Sequence, residues 1–258
     1  QSIVKAFALL RAFRRSDESL TCAELSRRAG LPEASGYRLI QTLVETGAVV
    51  RGARGRYRPG MLLVHLSKNV EIAELLREAS HTLLMDLAAR LDLTVHMGVL
   101  EDGMVHYVAK VGPAKGYAVY TRVGAQLEAY CSGLGKVLLA ALPRRDLDRF
   151  LNEGALIALT PHTITDKAVF RAELEKVRSQ GFAVDDRETS LDLRCVAVAV
   201  RDSVGRTIAA ISVSDEPQSM TPRRQDDLRI ALRETSAAIG RKLWPEVRAA
   251  AGLELSAH

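Results

Sequence analysis

Apolar residues recur at helical spacing from the start of the chain. Ile3, Ala6, Phe7, Leu10 and Phe13 fall on one side of a helix expected over residues 3–15. The polar run 16–19 interrupts it. Thr21 and Glu24 then stand three apart, the form of a capping box, in which each side chain satisfies a free amide near the other. Leu20, Leu25 and Ala29 mark a short second helix behind that cap. Gly30 can take the left-handed conformation that ends a helix. Pro32 is tolerated in a first turn, and a third helix is expected to run to Thr46. Its inner stripe is Leu39, Ile40, Leu43 and Val44, and its outer face carries Ala34, Tyr37, Arg38, Gln41 and Glu45. Gly47 stops it. Residues 48–50 and 56–58 then flank a glycine-rich tip at 51–55, which reads as a hairpin.

Past residue 71 the period is helical to 91, with Ile72, Leu76, Leu83, Leu87 and Leu91 on one side. This stretch is expected to be a linker. Alternation takes over at 94–100 and 104–111, two strands joined by a turn at Glu101, Asp102 and Gly103. A third strand is expected at 117–122. Helices follow at 132–141, 143–152 and 166–179, and strands at 182–186, 194–201 and 207–214. Thr221 and Pro222 open a last helix with Leu228, Ala231, Leu232, Thr235 and Ile239 facing inward. Antiparallel hairpins with helices to one side make an α+β domain. The expected division is 1–60 for the first module, 61–91 for linker helices and 92–258 for the second domain.

Charge sharpens this division. The net charge is +5, but residues 1–60 hold eleven Lys and Arg against five acids, and the remainder is slightly acidic. No acid lies between Glu45 and Glu71. A small basic module on a neutral body points to an anionic polymer. Two short helices joined through a glycine turn, a third with a polar outer face, and a basic hairpin together form a winged helix-turn-helix. On this reading Arg38 and Gln41 reach base edges in a major groove, with Tyr37 beside them and Ser35 near the helix start on phosphate. Arg51, Arg54, Arg56 and Arg58 carry the wing along phosphates or a minor groove. The expected partner is double-stranded operator DNA.

Little in the sequence suggests catalysis. There is no GxSxG elbow, and the Gly135, Lys136 pair lacks the rest of a phosphate loop. The six histidines are scattered without HExxH spacing. Cys131, at a helix start, is a weak nucleophile candidate whose pKa such a position lowers. No catalytic residue, metal or cofactor is therefore expected, and the alternative is a small-molecule-transforming enzyme with an accessory nucleic-acid module. Three cysteines without CxxC spacing, no secretory signal and no run approaching a membrane span suggest a cytoplasmic protein without disulfides or membrane contact.

The sequence resembles the IclR family of bacterial transcriptional regulators over nearly its whole length. The likeness is carried by LSRRAGLP at 25–32, YRLIQTL at 37–43, GRYRPG at 55–60, RVG at 122–124, GKVLLA at 135–140, LTP at 159–161, TI at 163–164, GF at 181–182 and CVA at 195–197. The resemblance implies a winged helix-turn-helix joined by a linker helix to a GAF-like α/β effector-binding domain. It also implies a ligand-responsive repressor or activator, and homodimers formed through the N-terminal half that can pair into tetramers. Gly36 and Tyr37 depart from the usual recognition helix, where position 36 is larger and position 37 often His. Asp192 stands where Gly is common.

In the family the effector cavity lies between the sheet and the helix that begins at the Gly-Lys motif. Its polar lining maps onto Gly133, Leu134, Asp185, Cys195, Ser212 and Ser214. The first two offer first-turn amides to an anion. Ser212 and Ser214 share a strand face, Cys195 is a small wall residue, and Asp185 accepts from a ligand hydroxyl. Read from the residues alone, each has a plainer alternative: serines bonded to neighbouring backbone, Asp185 in a solvated turn, Cys195 in the core. Together they suggest a small carboxylate or oxo-acid, or an aromatic acid walled by Tyr117, Tyr120 and Tyr130.

Overall fold

The computed structural model describes residues 1–15, 18–113 and 121–244. The chain divides into two compact units, Gln1–Glu71 and Ile72–Val247. The stretch 61–91, expected as linker helices, divides between them.

The first unit runs α1 (Ser2–Arg11), β1 (Leu20–Thr21), α2 (Cys22–Arg28), α3 (Glu33–Glu45), β2 (Val49–Arg51), β3 (Arg56–Pro59) and α4 (Met61–Ser67). Thr21 caps α2 reciprocally with Glu24: its Oγ1 accepts from the Glu24 amide at 3.2 Å, and its own amide donates to Oε2 at 2.7 Å. Gly30 (φ +66°) and Gly47 (φ +74°) supply the left-handed turns after α2 and α3. Leu9, Leu25, Ile40, Leu43, Val49 and Tyr57 form the core. The helix expected at 3–15 stops at Arg11. Its buried residue is Leu9, followed by Ala12, whereas Ile3 and Phe7 are 73% and 59% exposed. The helix therefore has two apolar faces, and only one meets this unit's core. The sequence pattern also gave no sign of β1, a two-residue strand that pairs Leu20 with Tyr57 and makes the wing a three-stranded sheet.

The second unit runs α5 (Ile72–Leu91), β4 (Thr94–Glu101), β5 (Met104–Val111), β6 (Gln126–Glu128), α6 (Gly133–Ala140), α7 (Arg144–Glu153), α8 (Lys167–Gln180), β7 (Ala183–Asp186), β8 (Arg194–Arg201), β9 (Thr207–Asp215) and α9 (Pro222–Leu243). Six antiparallel strands form one sheet in the order β6-β5-β4-β9-β8-β7. Helices cover both faces, not one as expected. Val95, Met97, Val196, Val198, Ile211 and Val213 pack with α5 and α9. Val105, Tyr107, Ala183, Ala197 and Ala210 pack with α6, α7 and α8. With both faces covered, β9 is buried from Ala209 to Asp215, Ser212 and Ser214 included, where a half-solvated strand would alternate in exposure. The strand expected at 117–122 falls mostly outside the described residues, Arg122 is not in a strand, and the edge position is taken by β6.

Candidate functional site

Two surfaces collect the expected residues. On α3, Tyr37 and Arg38 are exposed, while Ser35 and Gln41 are half-buried. The Gln41 side chain donates to the Tyr57 hydroxyl at 3.3 Å, which ties the outer face of α3 to the wing. Gly36 is buried because α2 crosses there. A Cβ at 36 would lie 2.9 Å from Ser26 Cβ and closer still to its hydroxyl. The glycine that weakens the helix is thus what lets the two helices approach.

At the wing, a single 3₁₀ turn over Ala53–Gly55 joins β2 to β3, with Arg54 at φ 55° and Gly55 at φ +69°. Arg51, Arg54 and Arg58 are exposed. Arg56 differs from the phosphate contact expected of it. Its Nε donates to the Ser19 carbonyl at 3.0 Å and hydroxyl at 3.1 Å, and Nη2 to the same carbonyl at 2.6 Å. Glu24 lies 3.6 Å away. The backbone register that sets Thr21 opposite Arg56 brings this guanidinium against Ser19 as a brace, with the side chain still partly exposed.

In the second unit, strand register builds a polar floor beneath α6. Thr94, Ser214, Cys195 and Asp185 are successive cross-strand partners, and His96, Ser212, Ala197 and Ala183 form the next row. Ser132 caps α6 by accepting from the Gly135 amide at 3.0 Å, which leaves the Gly133 and Leu134 amides without helical partners. Gly133 lies on the sheet, where a Cβ would stand 3.3 Å from Ala197 Cβ and 3.6 Å from the Asp185 amide. A cavity of about 260 Å³ opens between floor and helix, and all six residues expected at an effector site line it.

Not all six are free to serve a ligand. Asp185 is buried, and both its oxygens are engaged: Oδ1 accepts from the Glu188 amide at 2.8 Å, and Oδ2 from the Thr189 hydroxyl at 2.5 Å. Burial raises its pKa, opposed by those hydrogen bonds. Asp185 therefore shapes the following turn, where Arg187 takes a left-handed φ of 62°. Asp192, at the Gly position of the family, is an exposed turn residue without positive φ. Cys195 Sγ lies 3.2 Å from Ser214 Oγ, and burial pushes its thiol up. Cys131 is likewise pushed up, to about 12, by burial, opposite to the activation expected at a helix start.

His96, Tyr107, Thr121 and Thr189 also line the cavity and were missed in the sequence. Only His96 left a signal there, as the polar alternate of an apolar strand. Tyr107 is placed by a bulge between Met97 and Gly98 that no pattern announces. Of the three tyrosines expected as a wall, Tyr117 and Tyr120 lie outside the described residues. Tyr130 instead exchanges hydrogen bonds with Ile157 at 2.9 and 3.1 Å and lines a different cavity. A wider groove of about 600 Å³ carries Arg178, Arg201 and Arg206, but they already hold Ala140, Gly205 and Asp202.

Among the described residues no group of three or more His, Cys, Asp and Glu side chains is placed to hold a metal ion, and no helix is long and apolar enough to cross a membrane. The IclR helix-turn-helix domain matches residues 2–53, and the bacterial transcriptional regulator IclR C-terminal domain matches residues 69–241. The HTH-type transcriptional regulator XynR of Escherichia coli is 29% identical, over 94% of this chain and 97% of its own. The regulator KdgR of Dickeya chrysanthemi is 31% identical, over 83% and 70%. The crystal structure of the Thermotoga maritima IclR superposes with a TM-score of 0.63 at 28% identity, covering 93% and 98%.

Proposed function

Since the chain belongs to the IclR family, and is thus a transcriptional regulator with a DNA-binding and an effector domain rather than an enzyme, we propose that it senses a small organic acid in the cavity beneath α6. The observation that carries this reading is the set of unpartnered first-turn amides at Gly133 and Leu134, facing a buried polar floor. Ser212 and Ser214 extend that cup. Cys195 is its wall, and Asp185 holds the turn that closes it. Residues 1–60 read the operator: Tyr37, Arg38 and Gln41 at base edges, Ser35 at phosphate, and Arg51, Arg54 and Arg58 along the wing, with Arg56 bracing it. Residues 61–91 link this reader to the sensor at 92–258. The apolar face of α1, carrying Ile3, Val4 and Phe7, supports homodimers joined through the N-terminal half, which can pair into tetramers.

Linkage supplies the test. If acid and operator are coupled, each changes the other's affinity by the same factor. A carboxylate found by thermal shift is titrated into free and operator-bound protein, and operator is titrated with and without it. Equal acid affinity in both states rejects the coupling.

A further inference from the structure

The cavity is polar at two ends. At one end are the α6 amides, over β7 and β8. At the other, over β4 and β5, are His96 and Tyr107, their rings edge to face with centroids 5.4 Å apart. The His96 Nε2 bonds Thr121 Oγ1 at 2.7 Å, which leaves the other ring nitrogen for the cavity. The Tyr107 hydroxyl takes no protein partner among the described residues, although Tyr107 is only 6% exposed; nor does the Ser212 hydroxyl between the ends. Polar groups in so sheltered a space are normally paired, and these three line one cavity, where a ligand can reach them.

Among the described residues no cation lines this space. Lys136 is turned away to the Val184 carbonyl and Glu188, and Lys110 donates to the Thr121 carbonyl at 2.7 Å. Burial, helped by the Lys110 charge, keeps His96 neutral with its pKa at about 3, and holds Tyr107 as a phenol. A second negative charge at this end would be desolvated with no cation among the described lining residues to pair with it, since the nearby Lys110 is held by the Thr121 carbonyl. Leu127, Leu134, Leu159 and Leu193 supply apolar walls, against which a polyol would bury unpaired hydroxyls.

We propose that Tyr107 and His96 form an uncharged specificity end, so that the effector is a monocarboxylate with an apolar body and one distal hydroxyl or carbonyl oxygen. This rests on the cavity being the effector site. β4, which carries His96, and β8 are the nearer strands of the two ends and stand two strand spacings apart, roughly 10 Å. Allowing for hydrogen-bond reach, this leaves on the order of 6–8 Å between the ligand's polar groups.

Two matched triads test the inference on the full chain by thermal shift and calorimetry: hexanoate, 6-hydroxyhexanoate and adipate; benzoate, 4-hydroxybenzoate and terephthalate. Gluconate serves as the polyol. In at least one triad the hydroxy acid is expected to bind best and the dianion worst, with gluconate inert. Tyr107→Phe removes only the hydroxyl. It is expected to weaken the hydroxy acid roughly 3- to 10-fold and to leave the unsubstituted parent acid unchanged, which also reports an intact cavity. Preference for a dianion or gluconate, or a hydroxyl preference that survives Tyr107→Phe, overturns the specificity end while the acid-sensing reading stands. A flat response to all seven overturns that reading and this inference with it.

Discussion

A methyl group at position 36 would press into Ser26 across the α2–α3 crossing. Alanine there gains about 1 kcal/mol of helix propensity, but overpacking a fixed contact costs about 1–3 kcal/mol, and the second term wins. Gly36→Ala should therefore lower the melting temperature, and Gly36→Ala with Ser26→Gly should be more stable than the sum of the single changes. Simple additivity in chemical denaturation would reject the crossing as the cause. Glu188 offers a test of a different kind. One of its oxygens is held by Lys136, with Glu173 and Asp185 close by, and its Oε2 is buried without a partner. Burial outweighs the Lys136 charge and pushes its pKa up to about 7. A raised carboxyl pKa means that the fold favours the protonated form. The associated stability is complete below about 4.5 and is lost as pH rises through about 7. The stability of the wild type relative to Glu188→Gln should thus fall between these values, by at most about 1.4 kcal/mol per pH unit. A constant difference in urea denaturation across that window would refute it.

At the scale of elements the wing separates two kinds of arginine. Arg51, Arg54 and Arg58 point to solvent, while Arg56 is bound to Ser19 and Glu24. Replacing any of the first three with Ala should flatten the dependence of log affinity on log salt by about 0.9 for each phosphate no longer neutralised. Arg56→Ala should lower the melting temperature and leave that slope nearly intact. A slope change as large as that of Arg54→Ala would return Arg56 to the phosphates. The sequence could not make this distinction, because nothing local to Arg56 sets it apart from the other three arginines; it differs through β1, two residues whose pairing depends on the folded hairpin. Local signals fared better. The Thr21–Glu24 cap, the turns at Gly30 and Gly47, and most body elements were legible because their causes lie within a few residues. What was not legible was set by partners remote in sequence: the second helix layer on the sheet, the bulge that delivers Tyr107, and the engagement of Asp185 by its own turn.

For the whole molecule, positive charge sits in a unit too small to grip a long site alone. Helix-turn-helix proteins gain reach by placing two copies on half-sites one helical turn apart. The apolar face of α1 suits such pairing: Ile3, Val4 and Phe7 are 73%, 49% and 59% exposed, while Leu9 and Ala12 on the other face complete this unit's core. A symmetric pair would bury the same patch on each copy. Ile3→Glu with Phe7→Glu would place like charges opposite each other across that axis without touching Leu9. The variant should sediment as a smaller species, keep its helical circular dichroism, and lose operator affinity steeply while non-specific binding through the wing persists. Unchanged sedimentation would move the dimer contact away from α1. A smaller species that still bound the full operator as tightly as the wild type would show that one reader is enough, and the need for reach would no longer explain why two copies pair.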